Sequence, residues 1–161
     1  MPAAYINIGS NQGDRRANIA RAVALIADML HVKPRLSHAV ESEPWGYESA
    51  SPYINIGLAF DTVLTPETLL DTLLSIERSI SAASHRKPDG SYADRLIDID
   101  LIAYGNAAIE MSLTPEGNLL TLPHPRMHLR EFVLLPMQQL APEWKHPLTG
   151  HTPAEMLNAL K

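Results

Sequence analysis

The chain contains no cysteine. Disulfide scaffolds and thiolate metal centres are thereby excluded. No apolar stretch approaches the ~20 residues of a membrane span. The basic residues form no long run and the net charge is -5, so neither a nucleic-acid surface nor a polybasic membrane anchor is indicated. The first residues enter a strand-like run without a charged leader and long apolar segment. Standard nucleotide and nucleophile loops are missing too. Gly9-Ser10-Asn11-Gln12-Gly13 has no G-K-[ST] ending, no G-x-G-x-x-G follows a strand, and no G-x-S-x-G elbow occurs. A soluble, cytoplasmic protein is expected, with no nucleic-acid or membrane partner.

The 161 residues, 45% of them hydrophobic, suffice for one globular domain with a full core, and a single domain over 1–161 is expected. Tyr5-Ile6-Asn7-Ile8-Gly9 alternates with the strand period. From Asp14, a candidate N-cap, Ile19, Val23, Ile26 and Leu30 fall at helical spacing. A second strand is expected over Arg35 to Glu41, a loop over Ser42 to Pro52 and a third strand over Tyr53 to Val63. Thr65-Pro66-Glu67 opens a second helix with an apolar stripe of Leu69, Leu70, Leu73, Ile76 and Ile80. A polar loop, Ala82 to Asp94, precedes a fourth strand, Arg95 to Tyr104.

The order is βαββαβ, an α+β, ferredoxin-like pattern with helices on one face of the sheet and a C-terminal extension. Tyr5, Asn7, Tyr53, Asn55, Asp98 and Asp100 would share the opposite face. The pentapeptide Tyr-Ile-Asn-Ile-Gly occurs at both 5–9 and 53–57, a weak sign of two βαβ halves. The extension is expected to be turn-rich after Gly105, with a helix around Arg130 to Leu135 and a last one opened by the capping box of Thr152 and Glu155.

The densest chemistry lies in Arg95-Leu96-Ile97-Asp98-Ile99-Asp100-Leu101-Ile102. Asp98 and Asp100 project from one strand face with Cα atoms roughly 6.6 Å apart. Carboxylates so spaced can converge on two Mg²⁺ ions; a solvent-facing acidic strand is the competing reading. Arg95 could clamp phosphate oxygens, although alternation sets it on the other face unless the strand begins later. Glu77 sits beside the stripe of the second helix, where an edge position is the commoner outcome. Pro123-His124-Pro125-Arg126-Met127-His128-Leu129-Arg130 is rich in phosphate-binding side chains. Its Pro125 opposes a regular helix through both histidines, and the zinc-protease pattern is absent. Tyr53, Asn55, Trp45 and Phe132 could form an aromatic slot for a flat heterocycle, with Asn55 reading its edge; the alternative is that Phe132 is simply core and Trp45 a loop anchor.

These segments together resemble the 6-hydroxymethyl-7,8-dihydropterin pyrophosphokinase family of the folate pathway. The resemblance rests on Tyr5 to Asn11, Pro52 to Ile56, Arg95 to Leu101, His124 to Val133 and Ala141 to Trp144, in that order and spacing. It implies transfer of pyrophosphate from ATP, the co-substrate, to the pterin's hydroxymethyl group, with AMP as the other product. It further implies that Asp98 and Asp100 hold two Mg²⁺, with Arg95 and a lid residue, Arg86 or Lys87, assisting catalysis. Pro44, Trp45, Gly46, Tyr53, Asn55 and Phe132 match the pterin pocket. Glu77, Leu120, Thr121, His124 and Arg130 match the ATP side. A monomer with loops 42–52 and 82–94 closing over the site is expected. The chain departs from the family in the second loop, where Tyr92 stands in place of a common Trp and Ala93-Asp94 in place of Gly-Pro. A metal-dependent phosphohydrolase and a non-catalytic ligand-binding module are the competing functions.

Overall fold

The computed structural model describes residues 1–43, 51–81 and 96–161. Strands β1 (Ala3–Ser10), β2 (Arg35–Leu36), β3 (Val40–Ser42), β4 (Tyr53–Asp61) and β5 (Asp98–Tyr104) form one sheet. Its order is β2-β4-β1-β5, with β3 also on β4, and all these pairings are antiparallel. Helices α1 (Arg15–Leu30) and α2 (Pro66–Ser81) complete the βαββαβ order of the ferredoxin-like fold.

Local chemistry starts the two helices where expected. Asp14 caps α1, its carboxylate accepting from the Ala17 N–H at 3.1 Å. Thr65 Oγ1 accepts from the Thr68 N–H at 3.2 Å at the head of α2. Period-2 alternation sends Ile6, Ile8, Ile54, Leu58, Phe60, Ile99 and Leu101 to one face, where they pack with Ile19, Ile26, Leu69, Leu73, Ile76 and Ile80 of the two helices.

The opposite face is divided in two. One part is a second core: Tyr5, Ala59, Ile102 and Ala103 pack under Val133, Leu134, Met137, Leu140, Trp144 and Met156. These come from α3 (Glu131–Leu140), α4 (Pro153–Ala159) and their connection. Tyr5 therefore stands on the expected face but lies under the extension, its ring centroid 6.3 Å from that of Trp144. The other part carries Asn55, Gly9, Asp98 and Asp100.

Three stretches differ from the sequence reading. The second strand is two short pieces, because the His38 N–H between them donates to Gln139 Oε1 on α3, at 2.7 Å, rather than to the sheet. The segment after Gly105 contains a hairpin, β6 (Ile109–Leu113) with β7 (Leu119–Leu122). Helix α3 also runs past Leu135, through Pro136, to Leu140. The hairpin's turn is pinned to α2 by Asp71, which accepts from Thr114 Oγ1 at 2.6 Å, Asn118 Nδ2 at 2.8 Å and the Glu116 N–H at 3.1 Å. No described helix is long and apolar enough to cross a membrane.

Candidate active site

The pentapeptide repeat pairs with itself. β1 and β4 run antiparallel with Asn7 opposite Gly57 and Gly9 opposite Asn55, so each asparagine faces the other copy's glycine. On its far side β1 meets β5, with Gly9 opposite Asp98 and Asn7 opposite Asp100. Two cross-strand rows result, Asn55–Gly9–Asp98 and Gly57–Asn7–Asp100. Neighbouring strands lie ~4.8 Å apart, which sets Asn55 and Asp98 roughly 10 Å from each other across the glycine.

Gly9 keeps the space between them open. A Cβ there would stand 2.9 Å from Asn55 Oδ1 and 3.2 Å from Tyr53 Cδ1. Asn55 is buried, and its Nδ2 donates to Ser42 Oγ at 2.7 Å and to the Val40 carbonyl at 3.2 Å, both on β3. Its two amide hydrogens are thus committed, and Oδ1 is the atom leaning over Gly9.

The acid pair sits at the start of β5, which is the edge strand beside β1 among the described residues. The strand begins at Asp98 rather than at Arg95, so alternation no longer assigns Arg95 to the opposite face. An edge strand leaves one row of backbone donors without a neighbouring strand. Glu77 supplies a partner for one of them, its Oε2 accepting from the Ile99 N–H at 2.9 Å. The carboxylate is half-buried and ties α2 to the backbone between the two aspartates, rather than standing in water at the stripe's edge.

The histidine-arginine segment reaches the acid pair from the extension. A 3-10 turn (Met127–Leu129) leads into α3, and no regular helix runs through both His124 and His128. Arg130 Nη1 lies 3.9 Å from Asp100 Oδ2, and the guanidinium carbon is 5.7 Å from the centroid of the Phe132 ring. The Asp100 side chain is 26% exposed, so it stays open to a ligand. His124 Nδ1 accepts the Arg126 N–H at 3.1 Å, which leaves any ring proton on Nε2. Burial, then the charges of Arg130 and Arg126, pull its pKa down to about 4. His124 is therefore a neutral donor near pH 7 and not a third cation.

Leu120 turns its side chain into the main core and can offer a ligand only backbone groups. Thr121 lies beside a cleft of about 770 Å³, lined also by Ile109, Pro123, His128 and His146. Among the described residues no three His, Asp or Glu side chains gather as a metal cluster, so the acids form a pair and not a cage. Arg86, Arg95, Lys87, Pro44, Trp45 and Gly46 lie outside the described residues. Gly9 had no role in the sequence reading, although the repeat, read as a self-pairing unit, would have set it against Asn55.

The sequence profile described as 7,8-dihydro-6-hydroxymethylpterin-pyrophosphokinase matches residues 5–142. This chain belongs to that family. It is 35% identical over 147 residues to the 2-amino-4-hydroxy-6-hydroxymethyldihydropteridine pyrophosphokinase of Porphyromonas gingivalis, covering 91% of this chain and 95% of the relative. It is 30% identical to the enzyme of that name from Aquifex aeolicus, covering 92% of this chain and 86% of the relative. The Bacillus subtilis enzyme of that name is 32% identical, with coverages of 91% and 83%. Among solved structures, wild-type HPPK-DHPS from Plasmodium falciparum with pteroate superposes with a TM-score of 0.75 at 15% identity. The match covers 98% of this chain but only 42% of that longer one. It bears on the fold.

Proposed function

We propose that this chain transfers pyrophosphate from ATP to the hydroxymethyl oxygen of 6-hydroxymethyl-7,8-dihydropterin, releasing AMP. Family membership sets the reaction class. The observation that carries the residue assignment is the shared face: a carboxylate pair beside Arg130, about one strand pair away from an amide and aromatic cradle.

A reduced pterin is flat and carries ring N–H donors and carbonyl acceptors. Tyr53 and Phe132 offer ring faces for stacking. Asn55, with Nδ2 held by β3, presents Oδ1 as an acceptor for a ring N–H. Pro44, Trp45 and Gly46 complete this side in our reading. The triphosphate lies toward Asp98, Asp100, Arg130 and His124. Arg130 offsets the charge that spreads onto the oxygen bridging to AMP as it leaves. His124 adds a neutral Nε2–H hydrogen bond, and Glu77 keeps the acid-bearing backbone in register. Leu120 and Thr121 border the adenine side, while Arg95 and Arg86 supply further cations.

Carboxylate oxygens are the hard donors Mg²⁺ prefers, and the half-buried, partly exposed pair suits that ion. Asp98 and Asp100 would hold two Mg²⁺, whose charge would neutralise the polyphosphate and favour the alkoxide of the attacking alcohol. The same proposal takes the protein as a cytoplasmic monomer, one domain over 1–161, acting on small molecules alone.

Asp98→Asn tests the assignment. It keeps the side-chain volume and removes the charge, so turnover should fall at least ~100-fold while circular dichroism and melting stay near wild type. Near-wild-type turnover would remove the acid pair from the mechanism. Asn55→Ala should weaken pterin binding more than ATP binding in calorimetry, and equal losses would count against its edge-reading role.

A further inference from the structure

Helix α3 contains a proline, Pro136, four residues after Phe132. In an α-helix the carbonyl of Phe132 would accept the N–H of residue 136, and proline has none. The structure supplies a donor from elsewhere: Nδ2 of Asn7, in β1, donates to the Phe132 carbonyl at 3.0 Å. Asn7 is buried at 4% exposure in the middle of the sheet, a costly place for an amide unless it is hydrogen-bonded. Arg130, at the N-cap of α3, makes no side-chain capping bond.

The rest of α3 is docked independently. A Cβ at Gly57 would stand 2.6 Å from Pro136 Cβ, so the glycine lets the helix lie directly on β4. Arg35 Nη1 donates to the Leu140 carbonyl at 3.0 Å, at the helix's far end. Arg130 is held by Asp100 through its side chain, and its carbonyl by the Val133 and Leu134 N–H groups, both at 3.0 Å. Phe132 has the Asn7 bond.

We propose that Asn7 is a positioning residue for the pterin slot: its amide replaces the backbone donor that Pro136 removes, and so sets the pose of the Phe132 ring. The inference rests on the reading of Phe132 as a stacking face for the pterin.

Steady-state kinetics on single and double variants tests it. Asn7→Ala and Asn7→Leu, the second close in volume but without a donor, should both raise pterin KM about tenfold, the ~1.4 kcal/mol of one hydrogen bond. The KM for ATP should change less than about twofold, a split that general loosening of the fold would not produce. Pro136→Ala restores an N–H within the helix. In that background Asn7→Ala should have little further effect on pterin KM, because the helix then satisfies its own carbonyl. A pterin KM unchanged in Asn7→Leu, or an Asn7 effect as large in the Pro136→Ala background as in the wild type, would overturn the proposal. Phe132→Ala separates the two levels. If it leaves pterin KM unchanged, the slot reading itself falls. If it raises KM while Asn7→Leu does not, only the role of Asn7 falls.

Discussion

Oδ1 of Asn55 lies 2.9 Å from the point a Cβ on Gly9 would occupy. The two residues face each other across β4 and β1, and the glycine exists there as room for the amide. Gly9→Ala forces Asn55 to rotate, which breaks its bonds to Ser42 and Val40, or pushes Tyr53 aside. Overpacking of this kind costs ~1–3 kcal/mol. Pterin KM should rise about tenfold or more, with ATP KM little changed. Unchanged pterin KM would show that the cradle does not touch the pterin.

Glu77 acts through backbone. Glu77→Ala strands the Ile99 N–H on the edge of β5, at ~1–3 kcal/mol for a group shielded from water. Glu77→Gln keeps an acceptor oxygen. Turnover and melting temperature should therefore fall in the alanine variant and recover largely in the glutamine one. If Gln is as damaging as Ala, the carboxylate's charge is what the site uses.

His124 should titrate far below an ordinary imidazole. Its folded pKa of about 4 lies beneath the usual 6.5, so the unfolded chain takes up the proton first as pH falls. Stability linked to this group is complete above pH 6.5 and is lost as pH falls from there through about 4, roughly 3 kcal/mol in all. Proton NMR of the ligand-free protein should show the His124 ring neutral at pH 6. A midpoint above 7 would contradict the neutral-donor role.

Much of this arrangement was legible because short-range rules set it. The caps at Asp14, Thr65 and Thr152, the helical stripes and the shared face of Asp98 and Asp100 all follow from spacing and local hydrogen bonding. What escaped depends on contacts distant in the chain. Pro136 marks a helix end by local rules, yet α3 continues because Asn7, 125 residues away in sequence from Phe132, takes up the freed carbonyl. The break after Leu36 likewise needs Gln139. Asp71 was passed over beside an apolar stripe, since its partners lie on a hairpin more than forty residues on.

Asp71 gives a stability prediction remote from the chemistry. Burial would raise its pKa, but the hydrogen bonds from Thr114, Asn118 and Glu116 outweigh that and hold it below the usual 3.8. Its contribution is present above pH 3.8 and is lost as pH falls through the depressed value. Asp71→Ala should lower the melting temperature at pH 7 while leaving pterin KM unchanged. The gap between variant and wild type should narrow as the pH falls below the ordinary carboxylate range. A gap constant with pH would mean that the charge of Asp71 does not hold the hairpin.

The most direct measurement follows the fate of ATP. Purified protein is incubated with Mg²⁺ and ATP, with and without 6-hydroxymethyl-7,8-dihydropterin, and the nucleotide products are separated. The account predicts AMP in step with pterin diphosphate, and neither without the pterin. ADP as the product, inorganic phosphate released without an acceptor, or no turnover with both substrates present would contradict it.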